Sequence, residues 1–320
     1  MTGGYAYGVA RAHIKEGELL NKQEIEQMLT ASTYEDAIQV LHDKGYLSDS
    51  QNVEEMLMAR RTVLWGFVEE LAVDKEIFRI FRHETDFHNL KTAIKAAVLS
   101  DIPDEFFMDS GNYSVDVIKK AVKDKDFTRL PDEMAEAGNY ALDLLLRTRD
   151  GQGCDMVIDK ATLEAIHRDG LKSEIPIIYD WAEWKVAATN IKIAVRCCLT
   201  EKPLEFILRA LAECNTLDVN RLAVAATKDM SAIFEYLVYT PYAGAIDALK
   251  KSLSDFEKWC DDGMMERLRS EKTKNFGIEP IIAYMLAVES EMKQVRLILT
   301  GKRNLLDENL IRERMRELYG

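Results

Sequence analysis

Proline is scarce in this chain, with six in 320 residues: Pro103, Pro131, Pro176, Pro203, Pro241 and Pro280. Proline inside a helix removes a backbone hydrogen bond and clashes with the preceding turn, so the long proline-free stretches leave room for long helices. Each of the six falls where a helix can begin or end. Alternating apolar and polar residues of any length are also missing, which excludes a half-buried sheet as the organising element. Cysteine is limited to five residues (Cys154, Cys197, Cys198, Cys214, Cys260), odd in number and never spaced C-x-x-C. Neither a disulfide framework nor a zinc site is indicated, and a reducing compartment fits best. The longest uncharged run, Tyr236 to Ile246, carries Pro241 and Gly244 and falls far short of the roughly 20 apolar residues a spanning helix needs. The first residues contain no apolar stretch after a basic region, so no secretory leader is expected and the expected location is the cytoplasm. There is no cationic excess either: 42 basic residues face 55 acidic ones, a formal charge of -13. That balance repels phosphate backbones and anionic lipid alike, which argues against nucleic acid as a partner and against direct lipid insertion.

Recognisable catalytic chemistry is lacking too. No G-x-x-x-x-G-K-[ST] loop occurs, and the only Gly-x-Gly, Gly151 to Gly153, lies in a polar stretch with no strand before it. His83-Glu84 with His88 resembles H-E-x-x-H but is one residue too long, which turns the second imidazole roughly 140° from the first on a helix. Asp261-Asp262 followed by Glu266 resembles the magnesium motif of all-helical prenyl-transfer enzymes, but the spacing is wrong and no second carboxylate cluster follows. No Ser/His/Asp or Cys/His grouping has a recognised spacing. No catalytic residue, cofactor or metal is therefore expected, and the chain reads as a non-enzyme.

What is present is helical periodicity. Apolar residues recur at three- and four-residue intervals, as in Ile25, Met28, Leu29 or Val219, Leu222, Ala223, Ala226, and the fold class is all-α. Asn21 with Glu24, and Asp218, have the character of N-caps; Gly45, Gly170 and Gly301 read as helix stops. Sliding the chain against itself exposes a long repeat. At a shift of 104 residues, IPIIYDWAEWKVAATNIKIAVR (175–196) lies over EPIIAYMLAVESEMKQVRLILT (279–300) without a gap. A shift of 101 adds DKEIFRIFRHETDFHNLKTAIK (74–95), so Asn89, Asn190 and Gln294 align, followed by Leu90, Ile191, Val295 and then Lys91, Lys192, Arg296. Weaker companion helices are expected upstream, near 24–41, 114–127 and 218–234. The period is too long for a solenoid and matches a small domain. The expected units are 1–104, 105–205 and 206–320. Three like units close most easily around a central axis, so a pseudo-threefold, funnel-like body of three helical bundles is expected.

The amide-aliphatic-cation triplets admit two readings. In one, Asn89, Asn190 and Gln294 hydrogen-bond across helices while the cations flank an apolar stripe. In the other, Lys91, Lys95, Lys192, Arg196 and Arg296 line one equivalent face in all three units and present a basic wall to an acidic helix of a partner. Tyr5, Tyr7, Trp181 and Trp184 read as packing residues.

The segment YAYGVARAHIKEGELL (5–20), DFHNLK (86–91), Asp159-Lys160, and GIEPIIAYMLAVESEMKQVRLILTGK with the terminal LIRERMRELYG together resemble the C subunit of the A/V-type rotary ATPases, the counterpart of the d subunit of vacuolar ATPases. The resemblance spans the chain and is most specific at DFHNLK and the C-terminal region. It implies a non-catalytic rotor subunit shaped as a funnel of three bundles. Its socket would receive the helical hairpin subunit of the central stalk with its small companion. Its far side would rest on the cytoplasmic face of the membrane rotor ring, making it peripheral to the membrane and coupling ATP hydrolysis or synthesis to proton or sodium transport. The rival readings are a free-standing cytosolic helical scaffold and the prenyl-transfer enzyme.

Overall fold

A computed structural model describes residues 5–42, 44, 46, 52–71, 74–99 and 102–319. Among these the chain is all-α, with sixteen α-helices, short 3-10 segments and no strand. Gly45 lies outside the described residues. The helices fall into two compact units, one formed by Met1–Lys75 with Asp247–Gly320 and the other by Glu76–Ile246.

The first unit opens with α1 (Ala6–Glu16), α2 (Lys22–Thr30), α3 (Tyr34–His42) and α4 (Val53–Leu71). Asn21 caps α2 as its sequence suggests: its side chain accepts from the Glu24 amide while the Glu24 carboxylate accepts from the Asn21 amide, satisfying two N-terminal donors at once. The expected companion helix over 24–41 is in fact broken, because the Thr33 hydroxyl accepts from the Asp36 amide and starts a new helix.

The second unit begins with a 3-10 turn, Lys75–Arg82, and continues through α5 (His83–Leu99), α6 (Val115–Asp124), α7 (Asp132–Thr148), α8 (Gly151–Lys172), α9 (Pro176–Leu199), α10 (Leu204–Ala210), α11 (Val219–Ala226) and α12 (Met230–Leu237). Pro131, Pro176 and Pro203 stand at the starts of α7, α9 and α10, where a missing N–H costs nothing. Asp218 caps α11 by accepting from the Arg221 amide, and Asp229 restarts the chain as α12, so the companion over 218–234 is also two helices. Gly151 and Gly153 belong to the first turn of α8, which Asp150 caps, rather than to a loop. Around α5 a core of Phe87, Leu90, Ile94, Ile118, Phe127 and Leu145 joins α5 to α6, α7 and α8. Trp181 packs on Phe81 at 4.6 Å between ring centroids, and Trp184 on Tyr242 at 5.6 Å.

The chain returns to the first unit with α13 (Ile246–Lys251), α14 (Leu253–Glu271), α15 (Glu279–Arg303) and α16 (Glu308–Glu313). α15 is the spine of this unit, packing against α1, α3, α4, α14 and α16. Gly170 and Gly301 were expected to end helices but lie inside α8 and α15. A Cβ on Gly170 would stand 2.3 Å from the Ala182 Cβ, and one on Gly301 2.6 Å from the Ile311 Cδ1. Both glycines let a neighbouring helix approach closely.

Candidate functional site

The three aligned helices α5, α9 and α15 carry the same device. Asn89, Asn190 and Gln294 are 0%, 0% and 1% exposed, and each binds both polar groups of one distant backbone residue. Asn89 donates to the Met108 carbonyl (2.8 Å) and accepts from the Met108 amide (2.8 Å). Asn190 does the same with Ala212 (2.7 and 3.0 Å), and Gln294 with Arg316 (3.2 and 3.0 Å). A primary amide has a carbonyl and an NH₂ side by side, so it can stand in for a neighbouring strand and satisfy an extended segment that must be buried without a sheet. The amides thus form hydrogen bonds as in the first reading of the triplets, but to non-helical backbone at Met108, Ala212 and Arg316 rather than across helices.

Buried carboxylates reinforce these clamps. Asp86, three residues before Asn89, accepts from the Asn112 and Tyr113 amides and from the Asn112 side chain, just before Ser114 caps α6. Glu291, three residues before Gln294, accepts from the Leu20 amide at 2.5 Å, just before Asn21 caps α2. On α9 the role passes to Glu183, which accepts from the Asn215 and Thr216 amides and the Thr216 hydroxyl, just before Asp218 caps α11. Burial raises the Asp86 and Glu291 carboxyls above the ordinary carboxylate range, although these hydrogen bonds pull them down. Around Glu291 the Tyr46 hydroxyl donates at 2.8 Å and the Arg60 guanidinium lies 3.7 Å away, stacked 5.3 Å from the Tyr46 ring. Burial, with the adjacent Glu291 charge, drives the Tyr46 hydroxyl well above its usual range. Asp86 figured in the sequence only as the first residue of DFHNLK, and Glu183 and Glu291 were not singled out; the available signal was an acidic residue on the apolar stripe of a helix.

The five candidate interface cations are placed as follows. Lys91 and Lys95 lie on α5 and pair with Asp159 (2.7 Å) and Asp155 (2.6 Å) on α8. Lys192 is half-buried on α9, and Arg196, one turn on, is exposed with no partner for its guanidinium among the described residues. Arg296 on α15 grips Glu54 of α4 with two bonds, 2.9 and 2.7 Å. The structure thus brings Lys91 and Lys95 together on one helix, and Lys192 and Arg196 on another, in the same unit.

The motifs set aside in the sequence are occupied with structural work. His83 contacts Asp169 at 2.7 Å and His88 contacts the Phe106 carbonyl at 3.0 Å. Asp261 pairs with Lys293 and Arg316, and Asp262 accepts from Lys258 and from the Glu317 amide. Among the described residues, no group of three His, Cys, Asp or Glu side chains is placed to hold a metal ion, and no helix is long and apolar enough to cross a membrane.

Repeated three times, these clamps hold the backbone of distant segments against the aligned helices α5, α9 and α15. The chain belongs to the ATP synthase (C/AC39) subunit family, whose pattern it matches over residues 8–314. It is 25% identical to the C subunit of the V-type sodium ATPase of Enterococcus hirae, over 95% of this chain and 96% of that one. It is also 25% identical to the C subunit of the A-type ATP synthase of Methanocaldococcus jannaschii (98% and 86% covered), and 22% identical to the corresponding A-type ATP synthase C subunit of Thermococcus onnurineus (99% and 90%).

Proposed function

We propose that the chain is the C subunit of a V/A-type rotary ATPase: a non-catalytic rotor part that links the central stalk to the membrane ring, so that ATP hydrolysis or synthesis is coupled to proton or sodium transport. The observation that carries this reading is the family match along nearly the whole chain, with full-length correspondence to proteins named as the C subunit of such enzymes. The clamps support it physically. A connector that passes torque must transmit strain rather than absorb it, and close-packed interiors with buried polar groups tied do so.

In this reading the units 1–104, 105–205 and 206–320 form a funnel whose recess takes the stalk's helical hairpin, while the opposite face meets the cytoplasmic loops of the ring. The protein sits at the membrane through protein contacts. Arg196 is the cation best placed to meet an acidic partner, because its charge is unmatched; Lys91, Lys95 and Arg296 would first have to leave Asp159, Asp155 and Glu54.

A pull-down of the tagged chain from detergent-solubilised membranes tests the reading. The stalk hairpin subunit and the ring subunit are expected together, with the stalk contact weakened by salt. Recovery of neither, with unrelated cytosolic proteins in their place, favours the free-standing scaffold.

A further inference from the structure

We propose that a lysine-rimmed apolar groove between α5, α6 and α7 is a docking site for an acidic amphipathic helix of another protein. The groove has a volume of about 460 Å³. Its floor is made by Phe107, Val122 and Leu142, and Leu146 lines it while remaining 42% exposed. Lys119, Lys123 and Lys125 also line it. Lys119 is held in place by Asp104 at 2.5 Å and by the Phe107 ring, whose centroid lies 4.2 Å from its Nζ. Lys123 and Lys125 are exposed, and their ammonium groups have no partner among the described residues.

Two features separate this groove from an ordinary surface dent. The chain carries a charge of -13, yet the groove's lining holds three cations and one carboxylate, and that carboxylate is already spent on Lys119. Lys125 also closes α6 in the left-handed conformation, at φ +53°, with its own amide bonded to the Val122 carbonyl and the Asp126 amide to the Ala121 carbonyl. That position favours glycine, which adopts it without steric cost. A lysine there sets its charge by the negative end of the α6 dipole, as Arg149 does at the end of α7, and its ammonium, without a partner among the described residues, is left to meet an anion from outside.

The geometry selects the partner. Lys119 and Lys123 share a face of α6 one turn apart, about 6 Å along its axis, and Lys125 follows at its end. Carboxylates at i and i+4 on a helix lying in the groove have the same spacing of about 6 Å, while the apolar face of that helix covers Leu142 and Leu146. A lipid surface fits less well, because the floor is recessed and the body as a whole repels anionic membranes. The inference uses only the unit 76–246 and holds whether or not the partner belongs to a rotary assembly.

The test uses the full chain and a fluorescein-labelled peptide about five turns long with leucines at i, i+3, i+4 and i+7 and glutamates elsewhere. By fluorescence anisotropy the peptide is expected to bind, to weaken about tenfold with K123E/K125E and with Leu146→Asp, and to weaken as salt rises. Four results would each overturn the proposal. They are no binding, equal binding to wild type and K123E/K125E, equal binding of the same peptide with lysine for glutamate, or sedimentation of the chain with phosphatidylglycerol vesicles that depends on Lys123 and Lys125.

Discussion

The amides of Asn89, Asn190 and Gln294 tie distant segments together at the scale of single residues. Replacing Asn190 by leucine keeps the volume but leaves the Ala212 amide and carbonyl buried without partners, which costs about 2–4 kcal/mol. A urea midpoint lowered accordingly is expected for Asn190→Leu, and an unchanged midpoint would show that the clamp contributes nothing. The buried carboxylates give a pH signature. Glu291 is raised by burial, so below about pH 4.3 it is protonated in both states and costs nothing. As pH climbs through its folded value the charge must be carried inside the protein, and stability falls. Glu291→Gln, which does not titrate, is therefore expected to gain on wild type as pH rises from about 4 to 7, read from urea unfolding across that range. Asp261 runs the other way. Burial raises its carboxyl, but Lys293 and Arg316 outweigh that and hold it low. Its contribution is complete above about pH 3.9 and is lost as pH falls through the folded value, so the deficit of Asp261→Asn shrinks in acid. The register of the amides was legible in the sequence because side-chain type recurs there. Their partners were not, because Met108, Ala212 and Arg316 take part through the backbone, which leaves no trace in residue identity.

Among the helices, the glycines separate two kinds of site. Gly170→Ala would force α8 from α9 against Ala182, an overpacking cost of about 1–3 kcal/mol. Gly66, exposed in the interior of α4, has nothing within 4 Å of a new Cβ, and Gly66→Ala is expected to stabilise by about 0.5–1 kcal/mol. Thermal melts of the two variants shifting in the same direction would contradict this packing picture. Caps at Asn21 and Asp218 were readable because a side-chain acceptor at a helix start has one common use. Gly170 and Gly301 were misread as stops because a glycine that ends a helix and one that admits a neighbour look alike in sequence. Thr33 and Asp229 restart helices inside stretches whose apolar period runs on unbroken, so the period alone merged two helices into one.

For the molecule as a whole, periodicity, scarce proline and the hundred-residue repeat were enough to read an all-α body, and the family match across residues 8–314 agrees with the resemblance carried by DFHNLK and the C-terminal segment. That one compact unit takes its helices from both ends of the chain had no sequence signal, since Leu20 reaches Glu291 through its backbone amide. The proposed role is mechanical: the chain contributes connection rather than chemistry. ATP-driven ion uptake in vesicles carrying the rotary complex, with and without this chain, probes that role head-on. Vesicles lacking the chain are expected to hydrolyse ATP without ion uptake, and adding the purified chain back should restore it. Undiminished uptake in its absence would contradict the mechanical role.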